Sequence, residues 1–148
     1  MATITSNATG VWATDATWVG GTAPNMAVDD AIVAAGHAVT LGSAITIGAG
    51  RSITINATGL IYMNASGRLY LHGGLLTIAG TLDIAGAGAL AEFYGSVIMA
   101  AGGKVYITGQ GYVRFSRREL QPVVTGDHTV IDFGKVYGYS SGPVKIGA

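Results

Sequence analysis

A glycine followed two and four residues later by aliphatic side chains recurs along the middle of this chain, and no other feature limits the fold as much. The glycines are Gly59, Gly67, Gly74, Gly80, Gly88, Gly95, Gly103 and Gly111. Two positions after each stand Ile61, Leu69, Leu76, Leu82, Leu90, Val97, Val105 and Val113. Four positions after each stand Met63, Leu71, Ile78, Ile84, Glu92, Met99, Ile107 and Phe115, with Glu92 the one departure. Upstream, less regularly led by glycine, the pair repeats as Val39/Leu41, Ile45/Ile47 and Ile53/Ile55. An apolar-x-apolar pair is the period-two mark of a half-buried strand. A glycine just ahead of it marks a sharp corner, where positive φ carries no Cβ clash. A helix would need apolar positions at three- and four-residue spacing, which this stretch lacks.

Short strands with frequent corners fit an antiparallel sandwich, where turn signals come every ~8–12 residues. They also fit a solenoid, in which three strands make a coil and successive coils stack ~4.8 Å apart. The glycine steps are six to eight residues, so three of them give roughly 22 residues, the length of one coil. Folded at that period, the chain forms three columns of inward side chains. One holds Ile53, Leu76 and Val97; the second holds Val39, Ile61, Leu82 and Val105; the third holds Ile45, Leu69, Leu90 and Val113. The outward residues are then Thr54, Thr77 and Ile98 on the first face and Thr40, Tyr62, Asp83 and Tyr106 on the second. On the third they are Thr46, Tyr70, Ala91 and Arg114. The solenoid is the expectation taken forward, with the sandwich as its alternative.

Composition narrows the function. The chain is 49% hydrophobic and only 11% charged, so little polar material is available to cover a small domain. Burial of part of the surface against other subunits is the simplest resolution. Eight basic and eight acidic side chains leave no net charge, against a nucleic-acid partner. Cysteine is absent, which removes disulfides and thiolate metal sites. The first residues carry neither a basic patch nor an apolar run, so no secretory signal is expected. The apolar stretches alternate and are too broken for a membrane helix.

A solenoid has open ends that must be covered. The N-terminal segment, with Trp12, Trp18-Val19-Gly20-Gly21, Pro24, Asp29-Asp30 and Gly36-His37-Ala38-Val39-Thr40-Leu41, suits a cap. Its tryptophans can lid the core, and its Asp pair can accept from backbone donors at a turn. Over about residues 10–41 these features resemble the entry segment of right-handed β-helix proteins of bacteria and bacteriophages, and the repeat carries the likeness to about residue 115. Within that group a short chain without a secretory leader is most similar to a capsid decoration, or cement, protein. The resemblance implies a location on the capsid exterior of a virion, synthesis in the host cytoplasm, and a major capsid protein as partner. It also implies a homotrimer, because shells offer three-fold sites.

Chemistry is sparse. Carboxylate catalysis wants two facing acids, often ~5–9 Å apart. Asp83 is the only outward acid in the expected columns, and Glu92 falls at an inward phase, where a bulge with Phe93 taking the core position is expected. His37, His72 and His128 form no metal-ligand motif. No enzyme, cofactor or metal is expected.

The sequence thus predicts an all-β fold: a short right-handed parallel β-helix with a capping segment over residues 1–38, the repeat over 39–115, and a C-terminal arm or cap over 116–148. Short strands are expected at Thr129 to Phe133 and Lys135 to Tyr139. Tyr62, Tyr70, Tyr106, Arg114, Arg117 and Arg118 are the candidate interface residues, since Tyr and Arg are favoured at interfaces. The expected function is that of a structural virion protein. The alternative is a glycan-binding or adhesive module, such as part of a tail fibre, with Tyr62, Tyr106 and Asp83 as its groove.

Overall fold

The computed structural model describes residues 2–108 and 110–115, and the backbone of three short strands between 124 and 138. The strands are β1 (Thr3–Thr5), β2 (Gly10–Val11), β3 (Asp30–Val33), β4 (Ala38–Leu41), β5 (Ala44–Gly48), β6 (Ser52–Ile55), β7 (Leu60–Met63) and β8 (Arg68–Ile78). They continue with β9 (Thr81–Ile84), β10 (Leu90–Met99), β11 (Lys104–Tyr106), β12 (Tyr112–Phe115), β13 (Val124–Gly126), β14 (Val130–Ile131) and β15 (Val136–Gly138). One 3-10 turn, Asp15–Thr17, is the sole helical piece among the described residues.

Every ladder between these strands is parallel, which excludes the antiparallel sandwich. The molecule is a β-solenoid with three faces. The first stacks β1, β3, β6, the second half of β8, the second half of β10, and β13. The second stacks β2, β4, β7, β9, β11 and β14. The third stacks β5, the first half of β8, the first half of β10, β12 and β15. β8 and β10 each turn the corner between the third and first faces without a break in the strand. Glycine makes that corner possible: a Cβ on Gly95 would lie 2.6 Å from the Gly74 carbonyl oxygen in the coil beneath.

Like stacks on like in the interior. Ile53 pairs with Leu76 and Leu76 with Val97; Val39 pairs with Ile61, Ile61 with Leu82 and Leu82 with Val105. All of these are buried. Each such side chain contributes ~1.5–3 kcal/mol by leaving water.

The third column differs from expectation at one coil. Ala91, not Leu90, pairs with Leu69 and Val113, and Phe93 pairs with Leu71 and Phe115. Ala91 is fully buried, and Phe93 is 3% exposed. The expected outward place of Ala91 and the bulge at Glu92 are therefore corrected. The ladder runs in unbroken register from Leu90 to Tyr94, and its irregularity falls between Tyr94 and Ser96. The phase changes in the preceding turn, where Gly88 takes φ +80° and the buried Ala89 takes up one extra residue before the strand. Phe93 does take the core position, but Glu92 points outward.

The lower end is closed by Trp12 and Trp18, 3% and 1% exposed, packed edge-to-face with centroids 4.8 Å apart. Trp18 Nε1 donates to the Trp12 carbonyl at 2.7 Å, so the indole keeps its hydrogen bond on burial. The aspartate pair serves backbone donors as its position implies. Asp29 accepts from Asn25 N–H at 3.1 Å, and Asp30 accepts from Ser52 N–H at 2.8 Å. β1 and β2 already pair with β3 and β4, so the parallel ladders run into the segment read as a cap. At the other end β13, β14 and β15 extend the three faces by one strand each. The last two lie inside the stretches expected to be strands.

Candidate interaction surface

The corrected phase gathers polar side chains on the third face. Because successive coils are stacked in register, residues about 22 positions apart become lateral neighbours. Thr46, Tyr70, Glu92 and Arg114 form one outward row, and Gly48, His72 and Tyr94 form the next. Glu92 is the hub. Its Oε1 accepts from His72 Nε2 at 3.2 Å, and its Oε2 accepts from Arg114 Nη1 at 3.2 Å. The Glu92 side chain is 14% exposed, against 47% for His72 and 39% for Arg114, so a half-buried carboxylate is held by two groups that reach into solvent. Opposite charges placed across a ladder stabilise it modestly. The imidazole of His72 is flanked by two phenols, with ring centroids 5.6 Å from Tyr70 and 6.0 Å from Tyr94. Arg114 Nε is buried and has no hydrogen-bond partner among the described residues.

The second face carries Thr40, Tyr62, Asp83 and Tyr106 in one row, as expected. Thr108 Oγ1 donates to Asp83 Oδ1 at 2.6 Å, which fixes the carboxylate at the edge of the row. Tyr62 is 38% exposed. The first face presents Ile32, Thr54, Thr77 and Ile98 in one row, with Ser52, Leu75 and Ser96 beside them. Asp30, at its lower margin, is the only charged residue among its described outward side chains.

The sequence-derived candidates therefore divide. Tyr70 and Arg114 share the third face with Glu92 between them, whereas Tyr62 and Tyr106 flank Asp83 on the second. Arg117 and Arg118 lie outside the described residues. His72, Glu92 and Tyr94 belong to the third-face cluster and were not expected there. The signal was present: once Phe93 is placed inward, Glu92 must face outward between Tyr70 and Arg114. His37 has a structural place, its Nδ1 2.9 Å from Ser6 Oγ, which itself accepts from Ala34 N–H at 2.8 Å.

Among the described residues no group of three or more His, Cys, Asp or Glu side chains is arranged to hold a metal ion. No described helix is long and apolar enough to cross a membrane. Compared with known proteins, the chain matches no family model, no curated protein and no solved structure.

Proposed function

We propose that this chain is a non-catalytic structural component of a protein assembly, a rigid β-solenoid that works by being packed against other subunits. The observation that carries the reading is the first face. Ile32, Ser52, Thr54, Leu75, Thr77, Ser96 and Ile98 make a sheet surface whose one described charge, Asp30, sits at its lower margin, on a chain only 11% charged. An isolated domain keeps such surfaces small or breaks them with charge. The finer reading is a capsid decoration protein of a bacteriophage, a homotrimer seated on a major capsid protein at the outside of the head. It is supported by the resemblance of the entry segment and by the short solenoid, whose low charge suits repeated contacts on a shell.

Two measurements test this. Native mass spectrometry of the chain at rising concentration is expected to give a trimer that Ile98→Lys shifts to monomer. Co-sedimentation with purified phage heads is expected to saturate at a fixed number of copies per head. A chain that stays monomeric and sediments with no head overturns the reading.

The third-face cluster favours a second reading, a glycan-binding module. Tyr70 and Tyr94 offer ring faces for a sugar, and Arg114 and His72 offer donors beside them. A glycan-array signal lost on Tyr94→Ala, without association of the chain, would place this reading first.

A further inference from the structure

The three faces do not begin together. The first opens with β1 and the second with β2, one coil below β3 and β4. The third opens only with β5, which pairs with β8 on one side and with no strand on the other among the described residues. Among the described residues that strand position is vacant, although residues 24–27 cover the core there without pairing with β5.

The direction of the backbone groups follows from one bond. Arg68 N–H donates to the Ser43 carbonyl at 3.2 Å. Backbone groups of alternate residues in a parallel strand point to opposite neighbours. Ser43, Ile45 and Ile47 therefore bond toward β8, while Ala44 and Thr46 turn their N–H and C=O groups to the open edge. A groove of about 450 Å³ runs along that edge, with Pro24, Met26 and Ala27 as its far wall and Ala44, Thr46 and Ala49 on the near side. Pro24 has no N–H, so this wall is poorly suited to complete the ladder. The inward Ile45 keeps 9% exposure, whereas Ile47 beside it has none. Open edges are ordinarily protected by charge, proline or a bulge that turns the edge away. β5 itself carries no charge and no proline; Pro24 and Arg51 line the groove beside it, with the Arg51 guanidinium donating to the Val28 carbonyl at 3.0 Å.

The sequence itself supplies a matching strand. β5 and the residue after it read Ile45-Thr46-Ile47-Gly48-Ala49, and residues 144–148, outside the described part of the chain, read Val144-Lys145-Ile146-Gly147-Ala148. Both run branched aliphatic, polar, Ile, Gly, Ala. Laid parallel beneath β5, Val144 and Ile146 fall in line with Ile45 and Ile47, Gly147 meets Gly48, and Lys145 faces solvent beside Thr46. The same copy cannot deliver this strand. On the third face β15 stands four strands above β5, so the vacant position lies ~24 Å below it at ~4.8 Å per strand. The path must also return along the strand's length. The six residues from Gly138 to Val144 reach at most ~21 Å fully extended.

We infer that residues 144–148 of a second copy fill the vacant strand position beneath β5, joining copies head to tail by strand addition. This deepens the assembly reading and rests on it. Such a contact closes into a ring or continues as a filament, according to the rotation between copies.

The test uses two full-length variants. Thr46→Pro removes a donor from the open edge, a position where a strand tolerates proline, and leaves the tail intact. Ile146→Asp disables the tail and leaves the groove intact. In sedimentation experiments the unaltered chain is expected to grow past the trimer with rising concentration, each variant alone to stop at the trimer held by the first face, and an equimolar mixture to grow past it again. If Thr46→Pro loses its fold by circular dichroism, a labelled peptide of residues 139–148 replaces it, with micromolar binding to the Ile146→Asp chain expected by fluorescence anisotropy. A mixture that stops at the trimer, or a peptide that shows no binding, overturns the inference, as does an unaltered chain that never grows past the trimer; a chain that stays monomeric overturns the assembly reading with it. Growth past the trimer that persists in both variants also removes strand donation, while leaving the assembly reading in place.

Discussion

Glu92 and Arg114, 22 residues apart in the chain, stand side by side on adjacent coils with Oε2 and Nη1 at 3.2 Å. Their pairing shows what the solenoid does with sequence distance: one coil of chain becomes one step across a sheet. Arg114 is partly exposed, so the pair is worth little by itself, ~0.5–1 kcal/mol. A double-mutant cycle with Glu92→Gln and Arg114→Met, read by urea unfolding, is expected to return a coupling energy of that size. A coupling of zero would mean that the two side chains do not meet in solution.

The position of Ala91 gives a sharper test of the corrected phase. Ala91 lies between Leu69 and Val113 in the core column and is fully buried. Ala91→Asp places a carboxylate there without a partner and is expected to abolish cooperative folding. Glu92→Asp, one residue on, is expected to shift the unfolding midpoint only slightly. Equal effects at the two positions would show that the strand's faces are reversed.

At the lower end, Trp18→Phe removes the Nε1–H bond to the Trp12 carbonyl while keeping an aromatic ring. The carbonyl is buried with the pair, so a cost of ~1–3 kcal/mol is expected in denaturant unfolding. Trp18→Ala also opens a cavity beneath the core and is expected to cost ~3–5 kcal/mol. The fluorescence of the remaining Trp12 reports both transitions.

Two glycines should respond unequally. A Cβ on Gly95 would press on the Gly74 carbonyl oxygen at 2.6 Å and on Leu71 Cγ at 2.9 Å, whereas one on Gly48 would meet nothing within 4 Å. Gly95→Ala is expected to lower the thermal midpoint by several degrees, since ~1–3 kcal/mol of overpacking has that effect in a chain of this size. Gly48→Ala should leave the midpoint close to that of the unaltered chain.

The repeat was readable because the interior demands apolar side chains at alternate positions, and glycine punctuates the corners. Leu76 above Ile53 and Val97 above Leu76 follow from that demand alone. The phase at Glu92 was not readable from the spacing of glycines. The turn at Gly86-Ala87-Gly88-Ala89 absorbs an extra residue, and a one-residue slip moves every side chain of a strand to the other face. The third-face cluster went unseen with it, since His72, Glu92 and Tyr94 approach one another only once that register is fixed. The vacant place beneath β5 was hidden for another reason. Pro24 and Met26 cover the core there without forming a strand, and covering is indistinguishable from pairing in a list of apolar residues.

The late start of the third face also bears on how the molecule yields under load. Backbone bonds between coils run along the long axis, so the coils are links in series, each held by its own set of bonds. Among the described residues the lowest link has two ladders, β1 on β3 and β2 on β4, with side-chain bonds from Ser6 and Thr9 beside them, while links higher up have three ladders. A pull applied from end to end would therefore part the chain first at its amino-terminal coil, and the amides of β1 and β2 should exchange with solvent ahead of those in β7 and β9.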